Sequence, residues 1–270
     1  MRSMSRVLLA LIVTLFALAA PVSAARASTP TIYLALGDSL ANGEQADGSV
    51  HHGYAEDLAT TLGLSLVNDG CSGGETSTTF LDGGICTYPG AGSQMQAAEQ
   101  FLAAHSGQIA LITLDVGADD YGPCYTAGTL NPVCLATASA AVATNLPQIL
   151  NNLRTAAPGV PIAAINYYDP YLASWTSGLT GELTADATVP LITTFNTAET
   201  AIYTAHGVTV ADVADAFQTT NLLQFTTYQG QSVPVDVEQV CTLTTACTEN
   251  NIHPNPAGYQ LIANTLNAAL

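Results

Sequence analysis

Five short runs of apolar and β-branched residues recur along the chain, and small or turn-forming residues follow each of them. Segments with helical character separate these runs. Short apolar strands that alternate with helices are typical of a parallel sheet covered on both faces. We therefore predict an α/β fold, a three-layer α/β/α sandwich around a central, mostly parallel sheet of about five strands. The predicted strands are residues 31–36, 64–68, 109–116, 160–167 and 208–213, and the predicted helices are residues 54–62, 95–104, 136–156, 191–206 and 256–270.

The first two dozen residues predict export. Arg2 and Arg6 precede an apolar run over residues 7–20, and small residues follow at 21–24. A charged start, an apolar stretch and a small-x-small cleavage site are typical of a secretory signal peptide. The apolar run is shorter than the roughly 20 residues of a membrane span, so no integral membrane association is expected. We predict a signal peptide over residues 1–27, cleaved after Ala24 or Ala27, and a single secreted domain over residues 28–270, because no linker, charge block or repeat divides it.

Six cysteines in an exported chain are more often bridged than free. They fall into three close pairs along the sequence, and we predict nearest-neighbour bridges. A zinc site is the alternative, but the chain has no CxxC motif and no histidine close to any pair, so no metal is expected. The predicted disulfides are Cys71–Cys86, Cys124–Cys134 and Cys241–Cys247.

The charge balance is strongly acidic. The chain has 21 acidic residues against 4 arginines and no lysine, for a net charge of -17. Such a charge repels nucleic acids and anionic membranes, so neither is an expected partner. Because few cations are available to pair with the carboxylates, protonating some of them relieves repulsion. We therefore predict that the protein tolerates mildly acidic solution and that its melting temperature does not peak above neutral pH.

Residues with reactive or hydrogen-bonding groups follow the predicted strands. GDSL at 37–40 comes after the first strand, a glycine-rich turn at 70–74 after the second, and IHPN at 252–255 opens the last helix. In parallel sheets ligands bind beyond the carboxyl ends of the strands, so we expect Ser39, the turn and His253 to meet there. Acyl transfer needs these groups: a hydroxyl, a base within hydrogen-bond reach, and N–H groups directed at the developing oxyanion.

In this order the segments resemble the sequence blocks of the SGNH hydrolases, also called GDSL esterases and lipases. The resemblance implies a flavodoxin-like fold with Ser39 as nucleophile and His253 as general base. It also implies an oxyanion hole formed by the N–H groups of Ser39 and Gly73. The turn has one more glycine than the family pattern, which makes Gly74 an alternative donor. The secreted branch of this family commonly carries three local disulfides.

Two positions depart from the family pattern. The third block usually reads Gly-x-Asn-Asp and its Asn donates to the oxyanion, but this chain has Asp119 there. An ionised carboxylate cannot donate, whereas a buried one with a raised pKa keeps its proton and can. The fifth block usually has an Asp three residues before the His to orient the imidazole; here that residue is Asn250, and Glu249 is the alternative. Both changes shift the predicted active window to about pH 4–6 on reference pKa values.

The sequence therefore predicts a secreted, metal- and cofactor-independent serine ester hydrolase that forms an acyl-enzyme on Ser39. Small-molecule, lipid and acylated-carbohydrate esters are the expected substrates, and a monomer is the expected state. The alternative is a carbohydrate- or lipid-binding protein of the same fold, with its chemistry impaired at Asp119 and Asn250. Four aromatic residues that follow the fourth strand are predicted to line the substrate pocket or join the core: Tyr167, Tyr168, Tyr171 and Trp175.

Overall fold

The computed structural model describes residues 29–50, 52–126 and 129–270. The predicted signal peptide lies outside these residues. The strands are β1 (Ile32–Gly37), β2 (Ser65–Asn68), β3 (Ile109–Asp115), β4 (Tyr125–Thr126), β5 (Thr129–Leu130), β6 (Ile162–Ile165), β7 (Thr209–Ala211), β8 (Phe225–Tyr228) and β9 (Gln231–Pro234). The helices are α1 (Ser39–Asn42), α2 (Tyr54–Leu62), α3 (Ser77–Asp82), α4 (Gln94–Ala104), α5 (Ala118–Tyr121), α6 (Pro132–Ala156), α7 (Leu179–Ala205), α8 (Val213–Ala216), α9 (Val235–Leu243), α10 (Ala246–Glu249) and α11 (Pro256–Ala269). Two segments, Gly122–Cys124 and Pro170–Ser177, are 3-10 helices.

The five predicted strands form one parallel sheet in the order β2-β1-β3-β6-β7. From β1 the chain moves to β2 on one side and then to β3 on the other, so the strand order reverses between β1 and β3. Gly37 pairs with Asp115 at the last position of the two strands. The segments that leave β1 and β3 therefore start side by side, at the switch point where α/β sheets bind ligands.

Alternate side chains of β1 enter two separate cores. Tyr33 and Ala35 lie in one core, and Leu34 and Leu36 lie in the other. This period of two is the geometry of a strand with both faces covered. Helices α2 and α11 cover the first core, with Tyr54, Leu58, Tyr259 and Ile262. Helices α3, α4 and α6 cover the second, with Phe80, Met95, Leu102, Leu146 and Leu150. The predicted three-layer sandwich is confirmed.

Helix α6 is, among the residues described, the one helix long and apolar enough to cross a membrane on length and composition. Its apolar face is instead packed in the second core, as in the core helix of a globular domain. The buried residues of this face are Ala138, Val142, Leu146, Ile149, Leu150 and Leu153.

Helix α7 differs from its prediction. It begins at Leu179, well before the predicted residue 191, and runs through Pro190. Proline removes a helical hydrogen bond and usually ends or kinks a helix. Here Ala185 and Val189 before the proline and Phe195 after it all pack in the first core. Tertiary packing therefore holds both halves in one helix.

All three disulfides pair nearest neighbours along the chain, as the sequence predicted. The described chain has no free cysteine. Cys71–Cys86 closes the loop after β2, Cys124–Cys134 ties the β4–β5 hairpin to α6, and Cys241–Cys247 joins α9 to α10.

Candidate active site

Ser39 is the first residue of α1, immediately past the carboxyl end of β1. The turn that places it there requires glycine at position 37. Gly37 has φ +139°, and a Cβ atom on it would lie 2.1 Å from the carbonyl oxygen of Asp115. Only glycine allows the ends of β1 and β3 to approach this closely, because it has no Cβ.

The N–H groups of the second and third residues of α1 are satisfied by two buried carboxyls. Asp38 caps the helix, its Oδ1 accepting from the Leu40 N–H at 2.8 Å. The Oδ2 of Asp115 accepts from the Ala41 N–H at 3.0 Å. Within the described chain the N–H of Ser39 makes no hydrogen bond. It is therefore free to donate to an oxyanion that forms beside its own side chain.

His253 meets Ser39 as predicted, although they are 214 residues apart: Nε2 lies 2.9 Å from the Ser39 Oγ. The Oδ1 of Asn251 accepts from the backbone N–H of His253 at 2.9 Å and lies 2.8 Å from Nδ1. A backbone N–H can only donate, so the asparagine atom here is the oxygen, and Nδ1 carries the proton. The lone pair of Nε2 therefore faces the serine hydroxyl, which is the tautomer a general base needs.

The predicted orienting residues, Asn250 and Glu249, do not make this hydrogen bond. Helix α10 ends at Glu249, and Asn250 adopts a left-handed conformation with φ 53°. This turn brings the next residue, Asn251, against the imidazole, and the prediction from family spacing is corrected to Asn251. Asparagine often accepts from the backbone N–H two residues later, and this preference is the sequence signal that could have identified Asn251.

Burial lowers the pKa of His253, while the Glu44 and Asp38 carboxylates act in the opposite direction. The Oε2 of Glu44 lies 3.8 Å from Nε2. Asn251 is a neutral partner, so it contributes no charge to the protonated ring. Glu44 was not identified as a site residue from the sequence, because nothing in its local pattern marks it.

The glycine-rich loop is held against α1. The Nδ2 of Asn42 donates to the Ser72 Oγ at 2.9 Å, and the disulfide of Cys71 anchors the start of the loop. Gly73 and Gly74 both have left-handed backbones, with φ 101° and 96°. Neither of their N–H groups makes a hydrogen bond to a described residue. Both remain available as oxyanion donors.

Asp119 is the second residue of α5, beyond the end of β3, and lines the same cavity as Ser39 and His253. Burial, with the charges of Asp38, Asp120 and other nearby carboxyls, raises the pKa of Asp119 to about 8. The group therefore carries its proton at neutral pH. A neutral carboxylic acid can donate a hydrogen bond, as the replaced asparagine would.

A pair of buried carboxyls lies directly behind the nucleophile. The Asp38 Oδ2 accepts from the Tyr167 hydroxyl at 2.8 Å, and the Tyr54 hydroxyl donates to Asp115. Burial and the neighbouring Asp38 hold the pKa of Asp115 well above its ordinary value, and burial raises the pKa of Asp38 as well. Asp38 thus holds the turn at the end of β1 through its hydrogen bonds. Its partnership with Asp115 was not predicted.

An apolar cavity with a volume of about 150 Å³ opens at Ser39. Tyr167, Tyr168 and Tyr171 line it, as the sequence predicted. Trp175 does not; it packs edge-on against Phe225 at a centroid distance of 6.4 Å. The remaining walls come from the β4–β5 hairpin, α6 and α7, and include Leu130, Leu135, Leu191, Ile192 and Phe195.

A serine–histidine pair at the switch point of a three-layer α/β/α sandwich, beside an apolar cavity, defines the structural class of the SGNH hydrolases. Sequence comparison places the chain more narrowly. Residues 35–261 match the GDSL-like Lipase/Acylhydrolase family, and the chain belongs to that family.

Solved structures share the fold at low sequence identity. The extracellular lipase of Streptomyces rimosus is 18% identical with a TM-score of 0.57, over 89% of this chain and 100% of that one. Phospholipase A1 from Streptomyces albidoflavus NA297 is also 18% identical, with a TM-score of 0.54 and the same coverage. The acetylxylan esterase Axe2 of Geobacillus stearothermophilus is 15% identical with a TM-score of 0.51, over 89% and 94% of the two chains. No curated protein sequence matched the chain.

Proposed function

We propose that this chain is a secreted serine ester hydrolase that forms an acyl-enzyme on Ser39, with His253 as general base. The observation that carries the proposal is the 2.9 Å approach of the Ser39 Oγ to the His253 Nε2 at the mouth of an apolar cavity. Membership of a lipase and acylhydrolase family supports an ester as the substrate.

Acylation starts with the hydroxyl proton moving from the Ser39 Oγ to Nε2 as the Oγ attacks the ester carbonyl carbon. The Asn251 oxygen keeps Nδ1–H in place, so the imidazole does not rotate as it becomes charged. Collapse of the tetrahedral intermediate breaks the carbon–oxygen bond, and Nε2 returns the proton to the leaving alcohol. Water activated by the same nitrogen then releases the acid.

The oxyanion is stabilised by N–H groups of Ser39 and Gly73, with Gly74 as the alternative, and by the protonated carboxyl of Asp119. The two N–H groups have no competing hydrogen bond in the described chain. The pKa of about 8 makes Asp119 a donor below that pH. This moves the upper limit of the active window from about pH 6, expected from reference pKa values, to about pH 8.

The cavity favours substrates with an apolar acyl group, because its walls are built mainly from aromatic and aliphatic side chains. Fold relatives described as a lipase, a phospholipase A1 and an acetylxylan esterase suit the same range of small-molecule, lipid and acylated-carbohydrate esters. The reaction as proposed uses no metal or cofactor. Export through a signal peptide at residues 1–27 agrees with the three disulfides, which persist in oxidising compartments.

A fluorophosphonate probe tests the proposal, because it reacts with activated serines. We expect labelling of the wild-type protein, and loss of labelling in Ser39→Ala and in His253→Ala. Ser106→Ala is the matched control, since Ser106 is exposed and precedes β3, at the end of the sheet opposite the site, and should not change the stoichiometry. Absence of labelling between pH 4 and 8 would refute the proposal and favour the ligand-binding alternative.

A further inference from the structure

Glu44 is held beside the base by both neighbouring helices. Its backbone N–H donates to the Ser39 carbonyl at 3.0 Å, and its carbonyl accepts from the Tyr259 hydroxyl of α11 at 2.6 Å. These contacts leave its Oε2 3.8 Å from the Nε2 of His253, with 20% of the side chain exposed. Within the described residues the carboxylate has no hydrogen-bond partner that would divert it from the ring.

Glu44 approaches the imidazole of His253 from outside the apolar cavity. Ser39 and His253 line the apolar cavity, whereas Glu44 does not. Glu44 therefore approaches Nε2 from outside the lining of the cavity. If the acyl group occupies the cavity, the leaving alcohol lies outside it, because acyl chain and alcohol are attached to the reacting carbonyl carbon on different bonds. Glu44 is then a charged group outside the cavity and near the nitrogen that protonates the alcohol.

We propose that Glu44 is a positioning and specificity residue, whose carboxylate stabilises the protonated His253 and selects against leaving alcohols that carry negative charge. The inference rests on the proposed ester hydrolysis by Ser39 and His253. It assigns to Glu44 the charge that an SGNH hydrolase usually obtains from an aspartate three residues before the histidine.

The other groups that face His253 do not fill this role. Asp38, at the end of β1, contributes a charge, but its oxygens accept from the Leu40 N–H and the Tyr167 hydroxyl. Asp119, on α5, is protonated at neutral pH. Asn251 is neutral. Glu44 is the carboxylate that lies within ion-pair distance of Nε2 and can pair with the ring when His253 gains a proton.

The consequence for catalysis follows from the proton path. Nε2 gains the serine proton as the Oγ–carbon bond forms, and loses it to the alcohol oxygen as the carbon–oxygen bond breaks. The Glu44 carboxylate attracts the imidazolium between these events. An anionic alcohol is repelled by Glu44, while the hydroxyl groups of a neutral polyol can donate to it.

Titration of His253 by NMR tests the electrostatic part without requiring activity. We expect the pKa of His253 to fall by about one unit in Glu44→Gln, because the carboxylate favours the charged ring. Glu44→Asp, which shortens the side chain, should give a smaller fall. Asp82→Asn, which removes an exposed charge at the end of α3, should leave the pKa unchanged. An unchanged titration in folded Glu44→Gln overturns the inference.

Kinetics test the effect of Glu44 on catalysis and on the choice of leaving alcohol. In Glu44→Gln the acid limb of kcat/KM should move to lower pH, and the plateau should fall about tenfold, which corresponds to one pKa unit. The preference for phenyl acetate over 4-acetoxybenzoate, whose leaving group carries a carboxylate, should decrease; an unchanged preference overturns the specificity role. A wild-type protein inert toward both esters refutes the proposed hydrolase, while the NMR titration still decides whether Glu44 and His253 are coupled.

Discussion

Asp119→Asn gives the sharpest test of how this site stabilises an oxyanion. The variant replaces a donor that can lose its proton with an amide that cannot. Wild-type Asp119 has a pKa raised to about 8 by burial and by neighbouring carboxyls. The protonated form, which donates, is therefore present below pH 8 and is lost as the pH rises through that value.

The magnitude follows from this pKa. At pH 7 about nine molecules in ten keep the proton, and at pH 9 about one in ten does, for a pKa of about 8. Loss of one oxyanion donor typically costs about 10²–10³ in kcat. Wild-type activity should therefore fall about tenfold between pH 7 and 9, and Asp119→Asn should stay nearly flat over that range.

The assay is kcat/KM for a neutral ester from pH 5 to 9, checked by the rate of fluorophosphonate labelling. Asp119→Ala is the control without a donor and should be slow, by about 10²–10³, at every pH. The acid limb depends on His253, whose pKa is lowered by burial, and it should be the same in wild type and Asp119→Asn. Parallel profiles for these two proteins between pH 7 and 9 would show that Asp119 does not act as an acid donor.

Three further predictions concern stability, the base and the cavity. The melting temperature should be higher at pH 5 than at pH 8. Burial raises the pKa of Glu75 to about 7 and that of Asp169 to about 6, so the folded state binds more protons than the unfolded state and loses stability as the pH rises. A calorimetric maximum above pH 7 contradicts this. Asn251→Ala should lower kcat about 10–100-fold, because the imidazole of His253 loses its orientation, whereas Asn250→Ala should change kcat little. Asn251→Asp should move the acid limb of the pH–rate profile to higher pH. Equal losses at both positions in steady-state kinetics would contradict the assignment of Asn251. Leu135→Trp should reduce hexanoate hydrolysis more than acetate hydrolysis, because it fills the cavity; an unchanged ratio across a series of acyl lengths would place the acyl group elsewhere.

Local patterns were enough to predict the layers of this fold. Each strand of the sheet is a short apolar run, and β1 sends alternate residues into two cores because side chains alternate along a strand. The full length of α7 was not predictable from local propensity, because Pro190 interrupts the pattern while packing on both sides keeps the helix intact.

The sequence likewise predicted some residues of the candidate site and missed others. Ser39 and His253 lie in short motifs whose residue types indicate their chemistry, and the structure places them 2.9 Å apart. The partner of His253 was mispredicted, because family spacing pointed to Asn250 while a left-handed turn presents Asn251. Glu44 was missed, because its contact with the ring depends on the packing of α11 against the segment after α1.

The sequence by itself determined the order of strands and helices along the chain, the motifs that carry the nucleophile and base, and the acidic charge. These properties depend on residue type and local spacing. Only the tertiary structure decided the electrostatics around them. Asp119, Asp115 and Glu44 come from different segments, and burial together with mutual repulsion sets which of the buried carboxyls keep a proton. A pKa depends on desolvation and on charges that distant segments bring within a few ångströms, and no local pattern contains either quantity.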